Sequence, residues 1–141
     1  MNRCANNVGR LVEIRADSGY RTAEDVDAIF AQIGRETAKL PLELRAVVVT
    51  DWRRCPVMSA DASARIVPMI TRTNPRTERS GAIVSRDSPI AVLQFTRIII
   101  ESKNPDRRLF YEPDKLTEWL GEVLNPAENA RLRAFLNYEE P

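Results

Sequence analysis

Hydrophobic positions along the chain follow two periods, one typical of strands and one typical of helices. Four short apolar runs predict strands, and each run is followed by a segment in which apolar residues recur every three or four positions. The strands are expected at 8–15, 45–51, 79–85 and 107–111, the last of them at a sheet edge because it is half polar. Residues 2–5 offer an additional short leading strand.

Five helices are predicted, and most of them begin with a recognisable start signal. Thr22 followed by Asp25 indicates a helix N-cap with an acidic first turn. Pro68 lies inside the second helix, where it removes a backbone donor and crowds the carbonyl of Ala64, so a kink or a break is expected there. The helices are expected over about 22–39, from Ser59, over 88–102 from a Ser88 cap, from Pro113 and from Asn125.

This alternation predicts an α/β fold with a single-layer, mostly parallel sheet of four to five strands and helices packed on it. The 141 residues fit one domain, with a core over about 8–124 and a C-terminal helical extension over about 125–137. Apolar residues make up 43% and charged residues 29% of the chain, which is the composition of a globular protein.

The helix at 88–102 is apolar around more than half of its circumference, more than a sheet alone would cover. The favoured explanation is that it is wedged between the sheet and the last two helices. The alternative is that it presents an apolar strip to a second copy of the chain or to another protein. In that case the candidate interface residues are Leu93, Arg97 and Ile100.

Histidine is absent, which excludes Ser-His-Asp and Cys-His nucleophiles, a histidine base and the common zinc sites. Cys4 and Cys55 are too few for a disulfide framework, and no run is long enough for a signal peptide core or a membrane span. A reduced, cytoplasmic location is therefore expected.

The formal net charge is +1, which gives no overall attraction to nucleic acid or to an anionic membrane. The arginine pairs Arg53–Arg54, Arg76–Arg79 and Arg107–Arg108 could form a basic patch, but a solvated, charge-balanced surface is the favoured interpretation. Nucleic acid is therefore not an expected partner.

The loop after the second strand is the most distinctive stretch, since it follows the carboxyl end of a buried strand, where sites form in α/β sheets. Cys55 does not fit a phosphatase, because position 61 is Asp where that mechanism needs Arg and the loop lacks glycines. Neither a glycine-rich nucleotide motif nor a metal-ligand cluster is present, so no catalytic, cofactor-binding or metal-binding residue is assigned and an enzyme is not expected. The candidate regulatory or partner-binding residues are Asp51, Arg53, Arg54, Ser59 and Asp61.

Four stretches resemble the STAS superfamily, the anti-sigma-factor-antagonist fold, and within it the SpoIIAA-like branch. Gly81–Ser85 is similar to that branch's third-strand motif, and a helix containing Phe95 follows it. Leu109–Phe110 and Leu116–Leu120 resemble the closing pattern of a short strand and a helix that ends in Trp-Leu. The resemblance covers residues of about 8–124.

The resemblance implies a non-catalytic regulatory module that binds a protein partner, as in bacterial signalling. It also implies a phosphorylation switch at the start of the helix after the central strand, which falls at Ser59 here. The sequence Met58–Asp61 departs from the Asp-Ser-Ser/Thr-Gly type of motif of the regulatory antagonists. Some relatives bind small apolar ligands in a groove, so a small-ligand or anion binder, or an enzyme, using the 51–59 loop is the alternative function.

Overall fold

The computed structural model describes residues 1–141 as one five-stranded sheet with five α-helices. The strands are β1 (Asn2–Val8), β2 (Leu11–Ala16), β3 (Ala46–Asp51), β4 (Thr77–Ile83) and β5 (Arg107–Phe110). The helices are α1 (Ala23–Thr37), α2 (Ala60–Arg72), α3 (Pro89–Glu101), α4 (Pro113–Gly121) and α5 (Pro126–Leu136). The strand order is β1-β2-β3-β4-β5, with β1 antiparallel to β2 and all other neighbours parallel. The predicted α/β class and mostly parallel sheet are confirmed.

The chain begins with a β-hairpin where the sequence predicted one strand at 8–15. Gly9 turns the chain with a φ of 54°, a left-handed conformation that glycine adopts easily, and the second strand starts only at Leu11. The leading strand is longer than the 2–5 alternative and is mostly polar. Side chains of α1 cover its outer edge, because Cys4 and Asn6 donate their backbone N–H groups to Gln32 and Glu36 at 3.0 and 2.8 Å.

Helices cover both faces of the sheet, and the strand order explains their distribution. Because β2 to β5 follow one another without reversal, crossovers of one hand place α1, α2 and α3 on the same face. Side chains of α4 and α5 pack on the opposite face. Strand residues alternate accordingly: Val12 and Val48 lie in the first core, whereas Leu11 and Val47 lie in the second.

The favoured explanation of the apolar α3 is wrong. The last two helices pack against Leu11, Val47 and Ile83 on the far side of the sheet, so they do not cover α3. Only one stripe of α3, with Ala91, Phe95 and Ile98, is buried. The rest of its apolar circumference is left without a neighbour from those helices.

The helix-start signals were largely correct. Thr22 and Asn125 form capping boxes, and the Ser59 hydroxyl accepts the N–H of Ala62, whereas Ser88 makes no side-chain cap hydrogen bond. Of the kink or break expected at Pro68, a break is absent, since α2 continues to Arg72. Pro68 and Ala64 are both exposed, so solvent can hydrate the carbonyl that the proline leaves free.

Candidate functional site

Asp51, at the end of β3, is buried at 1% exposure and is fully engaged by two arginines. Arg53 donates its backbone N–H and its Nε to one carboxylate oxygen, both at 3.0 Å, and its Nη2 to the other at 3.1 Å. Arg15, which points from β2 to the same side of the sheet, forms a buried ion pair with that second oxygen. The carboxylate is therefore neutralised inside the fold.

The same arginines hold the end of α5. Arg15 donates to the carbonyl of Phe135 at 2.8 Å and Arg53 to the carbonyl of Leu136 at 2.9 Å. Cations at this end of a helix also complement the helix dipole. Arg53, held in place by Asp51, therefore supports the C-terminal helix.

Tyr138 completes this arrangement. The guanidinium carbons of Arg15, Arg53 and Arg54 lie 4.7, 4.5 and 4.4 Å from the centre of its ring. Tyr138 adopts a φ of 60°, which costs energy for a residue with a side chain, so these contacts hold a strained position. We call Arg15, Asp51, Arg53, Arg54 and Tyr138 the arginine cluster.

Ser59 and Asp61 lie apart from the arginine cluster, since no hydrogen bond or ion pair joins them to it. The Ser59 hydroxyl is half-buried and accepts the Ala62 N–H at 3.1 Å, which makes it the N-cap of α2. Asp61 is exposed in the first turn of α2, where a negative charge is favourable. The structure thus brings Asp51, Arg53 and Arg54 together and places Ser59 and Asp61 at a helix start.

The 52–59 loop is fastened alongside α3. The side-chain amide of Gln94 accepts the Met58 N–H at 2.8 Å and donates to the Met58 carbonyl at 3.1 Å. Trp52 stacks on Phe95 of α3 with ring centroids 4.2 Å apart and donates its indole N–H to the Tyr20 hydroxyl at 3.0 Å. The loop and α3 therefore form one continuous surface.

Three large apolar side chains of α3 are exposed to solvent. Ile90, Leu93 and Ile100 are 63%, 70% and 71% exposed, and Arg97 lies between the last two, paired with Glu101 at 2.8 Å. We call Ile90, Leu93, Arg97 and Ile100 the α3 outer face. Ile90 was missed as an interface residue, although its spacing of three from Leu93 placed it on the same face.

The enclosed space under the sheet is small. A cavity of about 40 Å³ lies among core residues of β2, β3, α1 and α2, which is room for no more than a few water molecules. Arg107 lines it and donates to the Ile70 carbonyl and the Thr73 hydroxyl at the end of α2. Burial lowers the pKa of Arg107 to about 10, and the carbonyl end of the helix offsets part of that cost.

The three arginine pairs are largely used within the chain. Arg53 binds Asp51, Arg79 donates to the Trp119 carbonyl at 2.7 Å, and Arg107 is buried at 5% exposure. A basic patch built from all three pairs, which was one interpretation of the sequence, is therefore not formed.

Both cysteines are poor nucleophiles in this environment. Burial raises the pKa of Cys4 and of Cys55 from 9.0 to about 12. No group of three or more histidine, cysteine or acidic side chains is placed to hold a metal ion. None of the helices is long and apolar enough to cross a membrane.

Comparison with known proteins adds no assignment to this geometry: no protein-family model, curated protein or solved structure matches the chain.

Proposed function

We propose that this chain is a non-catalytic regulatory module of STAS-like architecture that binds a protein partner through the α3 outer face. The observation that carries the proposal is the exposure of Ile90, Leu93 and Ile100 along one side of a single helix. Burying each of these side chains in an interface would contribute roughly 1.5–3 kcal/mol. Single exposed apolar side chains are common on protein surfaces, but three in one row on a helix are typical of a helix that packs against another surface.

The packing of the motifs that resemble the SpoIIAA-like branch supports the architecture in this proposal. A Cβ at Gly81 would lie 3.2 Å from Leu116 Cγ and 3.3 Å from Leu120 Cδ1. The two motifs therefore contact each other, and the absence of a side chain at position 81 lets α4 approach β4. A leading hairpin followed by strands alternating with helices in sequential order is compatible with the same architecture.

Ser59 is the proposed regulatory position. A phosphate there would sit at the N-terminus of α2, where its charge is favourable, while repelling Asp61 and any acidic partner. The Gln94 contact to Met58 links this cap to the helix that carries the α3 outer face. If Ser59→Asp leaves partner affinity unchanged, regulation at this position is rejected.

Three features disfavour the alternative of a small-ligand or anion binder at the 51–59 loop. Asp51 and Arg53 already bind each other and the end of α5. The parallel strands never reverse their order, so the sheet lacks the crevice in which α/β proteins bind ligands. The cavity that Trp52 lines measures about 40 Å³, far below the volume of about 300 Å³ or more that small-molecule sites occupy. A larger space of about 630 Å³ is an open groove between α2 and α3, and no residue of the 51–59 loop lines it.

The test compares two lysine substitutions at exposed leucines. Leu93 lies in the α3 outer face, whereas Leu42, 88% exposed, lies in the connection between α1 and β3. The wild type and both variants are immobilised, incubated with lysate of the source cells and analysed by quantitative mass spectrometry. We expect Leu93→Lys to lose proteins that the wild type and Leu42→Lys retain. Identical retention by all three chains would reject the proposal.

A further inference from the structure

The α3 outer face has a spacing that reads the same in both directions along the helix. Its residues are Ile90, Leu93, Arg97 and Ile100, separated by three, four and three positions. Steps of three and four place them in one row on the helix surface, like the a and d positions of a helix pair. The midpoint of the row falls at Phe95, which is also the middle of the helix that runs from Pro89 to Glu101.

From this symmetry, and resting on the interaction role proposed above, we propose that the partner on the α3 outer face is a second copy of this chain. The two α3 helices pair antiparallel about a twofold axis near their midpoints. Ile90 then faces Ile100 of the second copy at both ends, and Leu93 faces Arg97 of the second copy on both sides of the axis. A twofold interface requires such a self-complementary surface.

The charges of the face fit a copy of itself. Arg97 is paired with Glu101 on the next turn at 2.8 Å, so the one positive charge of the face is balanced by a negative charge beside it. Two such faces meet without a net charge repulsion, and the aliphatic part of Arg97 covers Leu93 of the other copy while its guanidinium stays in solvent. A strongly acidic or basic partner would find no charge complement here.

The position of α3 leaves the face accessible. It is the last of the three helices on its side of the sheet, with α2 on one flank and the edge strand β5 beneath it. No further helix of the same chain lies beyond it. A second α3 can therefore approach without any rearrangement of the fold.

The size of the face predicts a weak, concentration-dependent dimer. Three exposed side chains of on the order of 100 Å² each bring roughly 600 Å² of apolar surface from the two copies. Arg97 and the flanking polar residues raise the total toward the lower limit of about 1,200 Å² for a specific interface. A dissociation constant in the micromolar range is therefore expected.

Sedimentation velocity from about 1 to about 500 μM tests the association by mass action. The sedimentation coefficient of the wild type should rise with concentration. In the dimer, Leu93→Lys places an ammonium group beside Arg97 of the other copy at two symmetry-related positions. It should therefore raise the dissociation constant at least about tenfold. Leu42→Lys should not change the dissociation constant. Circular dichroism confirms that each variant is folded.

Disulfide crosslinking tests the antiparallel register in a Cys4→Ser background. Ile90→Cys mixed with Ile100→Cys should crosslink under mild oxidation, whereas each variant alone should crosslink far less, because the pairing brings together residues 90 and 100 of different copies. Equal crosslinking of each variant with itself would overturn the antiparallel arrangement.

The two proposals fail in distinguishable ways. A wild type that stays monomeric throughout, while Leu93→Lys still loses a different protein from the lysate, overturns self-association and leaves the interaction role standing. A monomeric wild type whose lysate partners are unaffected by Leu93→Lys overturns both. A dimer that Leu93→Lys leaves intact overturns the assignment of α3 as its interface.

Discussion

Glu13 and Arg131 form a two-pronged ion pair inside the protein, with Nε and Nη2 of the arginine 3.0 and 2.9 Å from the two carboxylate oxygens. Both side chains are less than a tenth exposed. The pair joins α5 to β2, and the remaining Nη1 of Arg131 donates to the Glu139 carbonyl at 3.0 Å. The C-terminal helix is thus attached by charge as well as by its apolar residues.

Removing one member of this pair should be far worse than removing both. Arg131→Met leaves the buried Glu13 carboxylate without a charged partner, with only the Asn7 side-chain amide donating to it at 3.1 Å, and should lower the free energy of unfolding by about 3–5 kcal/mol. The double variant Glu13→Leu, Arg131→Met should recover most of that loss, because no unpaired charge remains. Urea denaturation followed by circular dichroism measures both, and equal losses in the two variants would refute the account.

The ring of Tyr138 should contribute more to stability than that of Tyr111. The two tyrosines are similarly exposed, at 39% and 37%, but Tyr111 stacks with Arg86 alone, at 4.0 Å. Tyr138→Ala should lower the free energy of unfolding by about 1–2 kcal/mol, and Tyr111→Ala by about half of that or less. If thermal denaturation ranks them in the opposite order, the arginine cluster does not stabilise the C-terminus.

Alkaline pH should lower the free energy of unfolding, because the side chains of Cys4, Cys55 and Tyr20 hold their protons more tightly in the folded protein. Burial holds the pKa of Cys4 and Cys55 at about 12 in the folded state, against 9.0 when exposed, and burial also raises the pKa of Tyr20. The unfolded chain releases these protons first, so this contribution to stability is complete below pH 9 and is lost as pH rises toward 12.

The expected slope is a fall of about 1 kcal/mol in the free energy of unfolding per pH unit for each group. Urea denaturation at several values above pH 9 measures it, and Cys55→Ala should make the slope shallower. A stability that stays constant up to pH 11 would contradict the burial of these groups.

Two substitutions at Ser59 distinguish its structural role as the N-cap of α2 from its proposed regulatory role. Ser59→Ala removes the acceptor of the Ala62 N–H and should lower the free energy of unfolding by about 1 kcal/mol. Ser59→Asp keeps a capping oxygen and should be nearly as stable as the wild type. A large loss in the aspartate variant, measured by chemical denaturation, would show that the hydroxyl does more than cap α2.

Local sequence signals predicted most of the fold. The capping residues Thr22, Ser59 and Asn125 marked three helix starts, and the β-branched run that forms β3 marked a strand buried on both faces. The leading strand β1 was largely missed, because an edge strand that is covered by polar side chains of α1 needs few apolar residues of its own.

Those local signals did not predict which residues distant in the chain contact each other. An apolar β3 indicates that both faces of the sheet are covered, but not which helices cover each face, so the location of α4 and α5 was wrong. Asp51 binds Arg15, 36 residues earlier in the chain, and Arg53, two residues later. Arg53 in turn donates to the carbonyl of Leu136 in α5, 83 residues further on. The sequence pattern placed Glu13 and Arg15 on the same strand face as Leu11, which was the only indication that these charged side chains would be buried.

The central claim is that the α3 outer face binds another protein chain, and a concentration series of amide NMR spectra tests it most directly. As the protein is concentrated from about 10 to about 500 μM, association should shift or broaden signals in a patch centred on residues 90–101. Signals of α5 and of the exposed loop around Leu42 should stay unchanged. Changes centred on α5, or spectra that do not depend on concentration together with unaltered lysate binding by Leu93→Lys, would contradict the account.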